Sequence, residues 1–345
     1  MPVDFDTFYQ AFVRPFIQSR HGVSSPDSDK ARFNLENTPE QNRVYLGTYF
    51  PRTVLESLCV FTHLFESVPA VRDAFGSKRR IRVLDYGCGT GGELIGLLAA
   101  LCIAFPERRP AVEIRMIDGN ADALRLAEEA LEEFKAFSGL TAEVNAGFGK
   151  IKDADYFCSD EFVDGTFDVI VTSKFLNEMN ECLARPYFLF MKNVLPKLAD
   201  DGIAVLLETT CRQSTERGGA WANQQMFGEA NAFLARTSGF RTLFPFVCSV
   251  CSKPVCKAFP QLMFDFSSLG YDGPRTKLAC RAICREELWQ KVRQSTRAAV
   301  YYLDCKGPDI DSQDCCVEPG AAGRLARMPR CCLNLHAKTI VRREA

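Results

Sequence analysis

The chain is poor in histidine and tryptophan, with three and two among 345 residues. His21, His63 and His336 are too few and too scattered for a histidine-rich metal centre, so a tetrahedral site here would be all-thiolate. No apolar run approaches the ~18 residues of a membrane span. The opening "MPVDFDTFYQ" has two aspartates, no basic start and no apolar core, unlike a secretory signal or an Arg-rich transit peptide. Net charge is −1, so no global positive field advertises nucleic acid, although basic residues gather from Arg275 to Arg297 and from Arg324 to Arg343. Low-complexity tracts, repeats at solenoid periods and a G-x-x-x-x-G-K-S/T phosphate loop are absent too. These absences leave a globular protein, expected in the cytoplasm and off the membrane. Its apolar fraction of 47% suffices for one large or two modest cores.

Glycine and cysteine are present in telling places. "VLDYGCGTGG" packs Gly87, Gly89, Gly91 and Gly92 into six positions. The run before it, "RIRVLDY", is apolar and rich in branched residues, whereas "ELIGLLAALCIAF" after it repeats its apolar residues at helical spacing. The glycines therefore lie on a strand-to-helix turn, where amide N–H groups face a crevice and the missing side chains admit a ligand against the backbone.

The spacing selects the ligand. A dinucleotide turn runs G-x-G-x-x-G, but here D-x-G-x-G-x-G places Asp85 ahead of Gly87, Gly89 and Gly91. This resembles the first motif of class I S-adenosylmethionine-dependent methyltransferases, in which the loop curves around a nucleoside joined to an amino acid through sulfur. The resemblance implies a doubly wound α/β, Rossmann-like fold and S-adenosylmethionine as cofactor. It also implies that Asp85 holds the methionine amino end and that the turn residues Gly87, Cys88, Gly89 and Gly91 line the site.

From Ile81 the period alternates: strand "RVLDY", helix "GELIGLLAALCIAF", strand "VEIRMID", helix "NADALRLAEEALEEFKAF", strand "TAEVNAG", strand "FDVIVTS", helix "RPYFLFMKNVLPKL" and strand "GIAVLLETT". Such a series predicts a mainly parallel sheet with helices on both faces and a ligand beyond its C-terminal strand edges. The second strand ends at Asp118 in "RMIDGN", followed by Gly119, and a carboxylate there can accept from both ribose hydroxyls.

"FDVIVTSKFLNEM" occupies the place of the fourth methyltransferase motif. Many amino-group methyltransferases carry D/N-P-P-Y/F there, but this chain has Thr172, Ser173, Lys174 and Phe175, which speaks against the DNA-adenine and glutamine types. Ser173 joins the cofactor residues; Lys174, Asn177 and Glu178 are the candidates to orient or deprotonate an acceptor, with capping as their alternative role.

The chain is expected to divide into an N-terminal helical cap (1–79), with a helix from Thr53; a cofactor-binding domain (80–245); a cysteine-rich extension completing it (246–300); and a tail (301–345). Cys248, Cys251 and Cys256 are spaced C-x2-C-x4-C, and Cys280 and Cys284 follow. They suit zinc or an iron–sulfur cluster, or else are buried thiols. "DCC" ending at Cys316 and "RCC" ending at Cys332 read as a thiol-rich tail.

A glycine turn, an "LLE" strand end at Leu206 to Glu208 and a proline-flanked cysteine group also resemble the methyltransferase-like proteins of small-ribosomal-subunit assembly, although "MFDFS" replaces their Trp-Cys-His-Phe signature. Two functions follow: methyl transfer to a small molecule or RNA, or a catalytically weak assembly factor with ribosomal association and a metal or iron–sulfur site.

Overall fold

The computed structural model describes residues 5–20, 22, 37–149, 163–210, 221–244, 261–265, 275–295, 330–334 and 339–342. Five parallel strands form its centre: β1 (Arg80–Tyr86), β2 (Ala111–Asp118), β3 (Ala142–Phe148), β4 (Phe167–Ser173) and β5 (Leu198–Thr209). They lie in the order β3-β2-β1-β4-β5, with Arg80 beside Ala111 and Tyr86 beside Ile117 in the β1–β2 register. The order reverses between β1 and β4, so their C-terminal ends flank a crevice, the usual ligand position in such sheets.

Beyond β5 the sheet turns antiparallel. β8 (Arg275–Arg285) pairs with β5 and receives β6 (Phe240–Phe244) on its far side. β7 (Gln261–Asp265) pairs with another stretch of β8 and leads to β9 (Arg330–Asn334) and β10 (Thr339–Arg342). The segment expected as an extension thus supplies a strand to the interior of the sheet.

Both faces are covered. One carries α2 (Pro39–Ser67), α3 (Pro69–Gly76), α4 (Gly92–Ala104), α5 (Ala121–Ser138) and α8 (Glu286–Ser295); the other carries α6 (Pro186–Asn193) and α7 (Ala222–Leu234). Ahead of them, α1 (Phe5–Phe8) runs into π-helical turns at Tyr9–Val13 and Phe16–Arg20. Phe8 and Phe12 on this segment pack edge-on against Phe134 of α5.

The helix expected from Thr53 begins at Pro39 instead. Thr38 accepts the Gln41 amide while the Gln41 side chain accepts the Thr38 amide, a reciprocal cap that fixes the start. Pro51 removes one N–H inside the helix, a change that ordinarily kinks or ends it. Here packing overrides that preference, because α4 is buried along its whole length and needs a second helix over its outer side. Gly92 and Gly96 make the approach close: a Cβ on Gly96 would run into the Val54 carbonyl and stand 2.7 Å from the Leu58 nitrogen. The expected helix 185–198 is shorter, ending at Asn193 before a 3-10 turn over Leu195–Lys197, where Pro196 cannot donate.

No single helix among the described residues is long and apolar enough to cross a membrane.

Candidate functional site

The site starts where β1 runs out. Gly87 and Cys88 donate their amides to the Ile117 carbonyl at 2.8 and 3.1 Å, and Gly91 donates to the Cys88 carbonyl at 2.7 Å before α4 begins. Gly87, Gly89 and Gly91 have φ of +78°, +48° and +78°, left-handed values that side chains disfavour. At Gly87 a Cβ would also strike the Phe175 ring, so that position is closed twice over.

Asp118 closes the turn from β2. Its Oδ2 accepts the Gly89 amide at 2.7 Å and its Oδ1 the Asn120 amide at 2.8 Å. Burial raises its pKa to about 6, against the pull of the Asn120, Gly89 and Gly119 amides. Asn120 caps α5 by accepting the Ala123 amide, and the same oxygen accepts from the Asn42 side chain of α2 at 3.0 Å.

Asp85 lies at the base of the turn, fully buried. Neither of its carboxylate oxygens has a hydrogen-bond partner among the described residues. Burial pushes its pKa well above the carboxylate range, and Glu93 and Asp118 push the same way. Glu93, the second residue of α4, is buried as well and raised to about 8, chiefly by burial. Such a group calls for a cation, since an unpaired buried charge is costly.

A narrow crevice, open to solvent, lies over the turn. Gly87, Cys88, Gly89 and Glu93 form its floor; Ser173, Lys174, Phe175 and Glu178 form one wall; and Tyr45, Tyr49, Phe50 and Thr53 of α2 form the roof. The Ser173 hydroxyl, like that of Thr172, is buried without a partner among the described residues. Lys174 follows β4 with φ +58° and donates its amide to Leu207 at 2.8 Å. Its ammonium is 2.5 Å from Glu56 of α2. Asn177 donates one side-chain N–H to the Lys174 carbonyl at 2.6 Å and the other to Glu208 at 2.9 Å.

The fold therefore gathers Asp85, Gly87, Cys88, Gly89, Gly91, Asp118, Gly119, Ser173, Lys174, Asn177 and Glu178 at one strand edge. It does not bring Cys280 and Cys284 there. Cys280 and Cys284 lie four residues apart on β8, fully buried in the apolar core, where burial raises the Cys284 thiol out of the thiolate range. Cys248, Cys251, Cys256 and Cys316 lie outside the described residues, as do His21 and His336; Cys332 is in β9. Among the described residues no group of three His, Cys, Asp or Glu side chains is placed to hold a metal ion.

Sequence reasoning expected an N-terminal helical cap but missed which of its residues roof the crevice, and it missed Glu93. Tyr45, Tyr49, Thr53 and Glu56 recur at three- and four-residue intervals, the signal of one helix face, but Gly47 and Pro51 interrupt it.

Residues 77–212 match the family model of a methyltransferase domain. That stretch is less than half of the chain, and over it the chain is similar to methyltransferase domains. No curated protein matches it in sequence. Among solved structures, the plantazolicin methyltransferase BpumL in complex with SAH is 16% identical, covering 79% of this chain and 95% of that one at a TM-score of 0.40. A TehB-like SAM-dependent methyltransferase from Corynebacterium glutamicum is 15% identical over 63% and 85% at 0.33. A SAM-dependent methyltransferase from Aquifex aeolicus is 12% identical over 64% and 90% at 0.33. At these scores none carries an argument about what this chain acts on.

Proposed function

We propose that the protein transfers the methyl group of S-adenosylmethionine to an acceptor that meets it between α2 and residues 174–178. The observation that carries this reading is the Asp85 carboxylate, buried with both oxygens unpartnered among the described residues at the base of a left-handed glycine turn. An amino acid's ammonium group fits it, the glycine backbone admits the chain behind that group, and Asp118 at the end of β2 is the carboxylate that would accept the ribose hydroxyls. When bound, the cofactor supplies a methyl on a cationic sulfur, already activated for displacement. The protein's residues then have to hold, orient and exclude water.

Calorimetry with S-adenosylhomocysteine tests the cofactor. Wild type should bind it, and Asp85→Asn should weaken binding by about tenfold or more, the effect of losing a charge-assisted contact of roughly 1.5–3 kcal/mol. Unchanged affinity in the variant overturns the assignment of Asp85. Incubation with donor labelled in its methyl group then reads transfer directly. An assembly role at the small ribosomal subunit has no specific observation behind it among the described residues. A zinc or iron–sulfur site would have to draw on Cys248, Cys251 and Cys256, and elemental analysis reads it.

A further inference from the structure

The roof of the crevice carries a cation with no partner among the described residues, Arg52. Tyr45, Tyr49, Arg52 and Glu56 recur on α2 at intervals of four, three and four residues, which sets them in one row along the helix. Tyr45 and Tyr49 line the crevice, as does Thr53 beside Arg52. Glu56 reaches the lining residue Lys174 at 2.5 Å. Arg52 fills the gap in that row. A helical side chain leans back over the turn before its own Cα, so Arg52 leans toward Tyr49 and the roof.

Its surroundings make the missing partner costly. Arg52 is only partly exposed, and its Nε is buried with no hydrogen-bond partner among the described residues. A guanidinium is always charged and carries five N–H donors. The ordinary partner four residues on is Glu56, yet that carboxylate goes to Lys174 instead. A half-buried guanidinium so placed calls for an anion.

The cofactor brings one. Its amino-acid end carries the ammonium assigned above to Asp85 and, on the same carbon, a carboxylate. The described lining residues offer that carboxylate one cation, Lys174, and Glu56 already engages it. Glu93 and Glu178, the other ionisable groups there besides the Tyr45 and Tyr49 hydroxyls and the Cys88 thiol, are acids.

We infer that Arg52 binds the carboxylate of the cofactor's amino-acid end, so that the roof and the floor hold the two charges of one zwitterion. This rests on the cofactor reading above. The guanidinium fork offers a carboxylate two parallel N–H donors, a match that a lysine ammonium does not provide. Because the contact joins α2 to the ligand, it also holds the roof against the glycine turn once the cofactor is in place. The Glu56–Lys174 pair serves the same end. It engages the carboxylate that would otherwise neutralise Arg52 and leaves the guanidinium to the ligand.

Calorimetry on the full chain tests this with two ligands: S-adenosylhomocysteine, and its analogue in which hydrogen replaces the carboxyl group. Wild type should bind S-adenosylhomocysteine about tenfold or more tightly than the analogue, the scale of one charge-assisted contact. Arg52→Gln should lower S-adenosylhomocysteine affinity by that factor and leave the analogue within about threefold, so that the preference disappears. Arg52→Met keeps an apolar stem along the roof and is read in the same way if Arg52→Gln fails to fold. Asp85→Asn should weaken both ligands, because both retain the ammonium.

Equal affinity of wild type for the two ligands overturns the assignment of Arg52, and so does a preference that survives its substitution. Equal losses for both ligands in the Arg52 variants overturn it too, since they mark a purely structural role in α2. All three results leave the cofactor reading standing. Absence of S-adenosylhomocysteine binding to wild type overturns the cofactor reading, and the role of Arg52 with it.

Discussion

Asp118 Oδ2 accepts the Gly89 amide at 2.7 Å, which ties the end of β2 to the middle of the glycine turn. The second oxygen accepts the Asn120 amide, so one carboxylate sets the turn and the start of α5 together. Asp118→Ala should lower S-adenosylhomocysteine affinity more than tenfold, on a loss of roughly 2 kcal/mol. Asp118→Asn, which keeps an acceptor for Gly89, should preserve the melting temperature better than it preserves affinity. Calorimetry and thermal unfolding on the two variants separate the roles; equal affinity in wild type and Asp118→Ala refutes the ribose assignment.

The acidic floor sets the pH dependence of the ligand-free protein. Asp118 and Glu93 have folded pKa values raised to about 6 and about 8, above the 3.8 and 4.5 of the free groups. The folded state therefore binds more protons than the unfolded state in that range, and stability falls as pH rises. Their contribution is full below about pH 4 and is lost progressively up to about pH 8. Glu93→Gln should flatten the upper part of this slope and raise the melting temperature at pH 8 to 9. A melting temperature that does not decline between pH 5 and 8.5 in wild type contradicts this account.

The glycine turn, its strand and helix, and Asp118 were legible because each is a local pattern: a period, a turn chemistry, an acidic strand end. The roof was not. Glu56 and Lys174 are 118 residues apart, and no local rule pairs them. α2 was cut short in the reading because Gly47 and Pro51 are breakers by propensity, whereas the exposed side of an apolar α4 favours a long helix over it. Cys280 and Cys284 drew attention as thiols, yet a spacing of four on a strand puts both on one face, here the core face.

The Glu56–Lys174 pair should behave as a buried ion pair. Glu56 is 1% exposed on its side chain and Lys174 19%. Removing one partner leaves an uncompensated charge, so Glu56→Gln and Lys174→Met should each destabilise by about 3 kcal/mol. The double variant should lose less than the sum, because neither charge is then stranded. Urea unfolding of the four proteins closes the cycle, and additive losses would show that the two charges act independently.

Gly96→Ala examines the contact that seats α2 over the site. A Cβ there would run into the Val54 carbonyl and stand 2.7 Å from the Leu58 nitrogen, both backbone atoms of α2 that cannot swing aside as a flexible side chain would. In an exposed helix the same change would be stabilising, because alanine has the better helix propensity by about 1 kcal/mol. Here the overpacking cost of roughly 1–3 kcal/mol should outweigh that gain. The shift of α2 should also carry Tyr45, Tyr49 and Thr53 away from the glycine turn, while Asp85 and Asp118, held by the sheet, stay in place. The expected signature is a melting temperature lowered by several degrees, with methyl transfer falling further than S-adenosylhomocysteine affinity. A variant more stable than wild type would mean that α2 does not lie against α4 at Gly96.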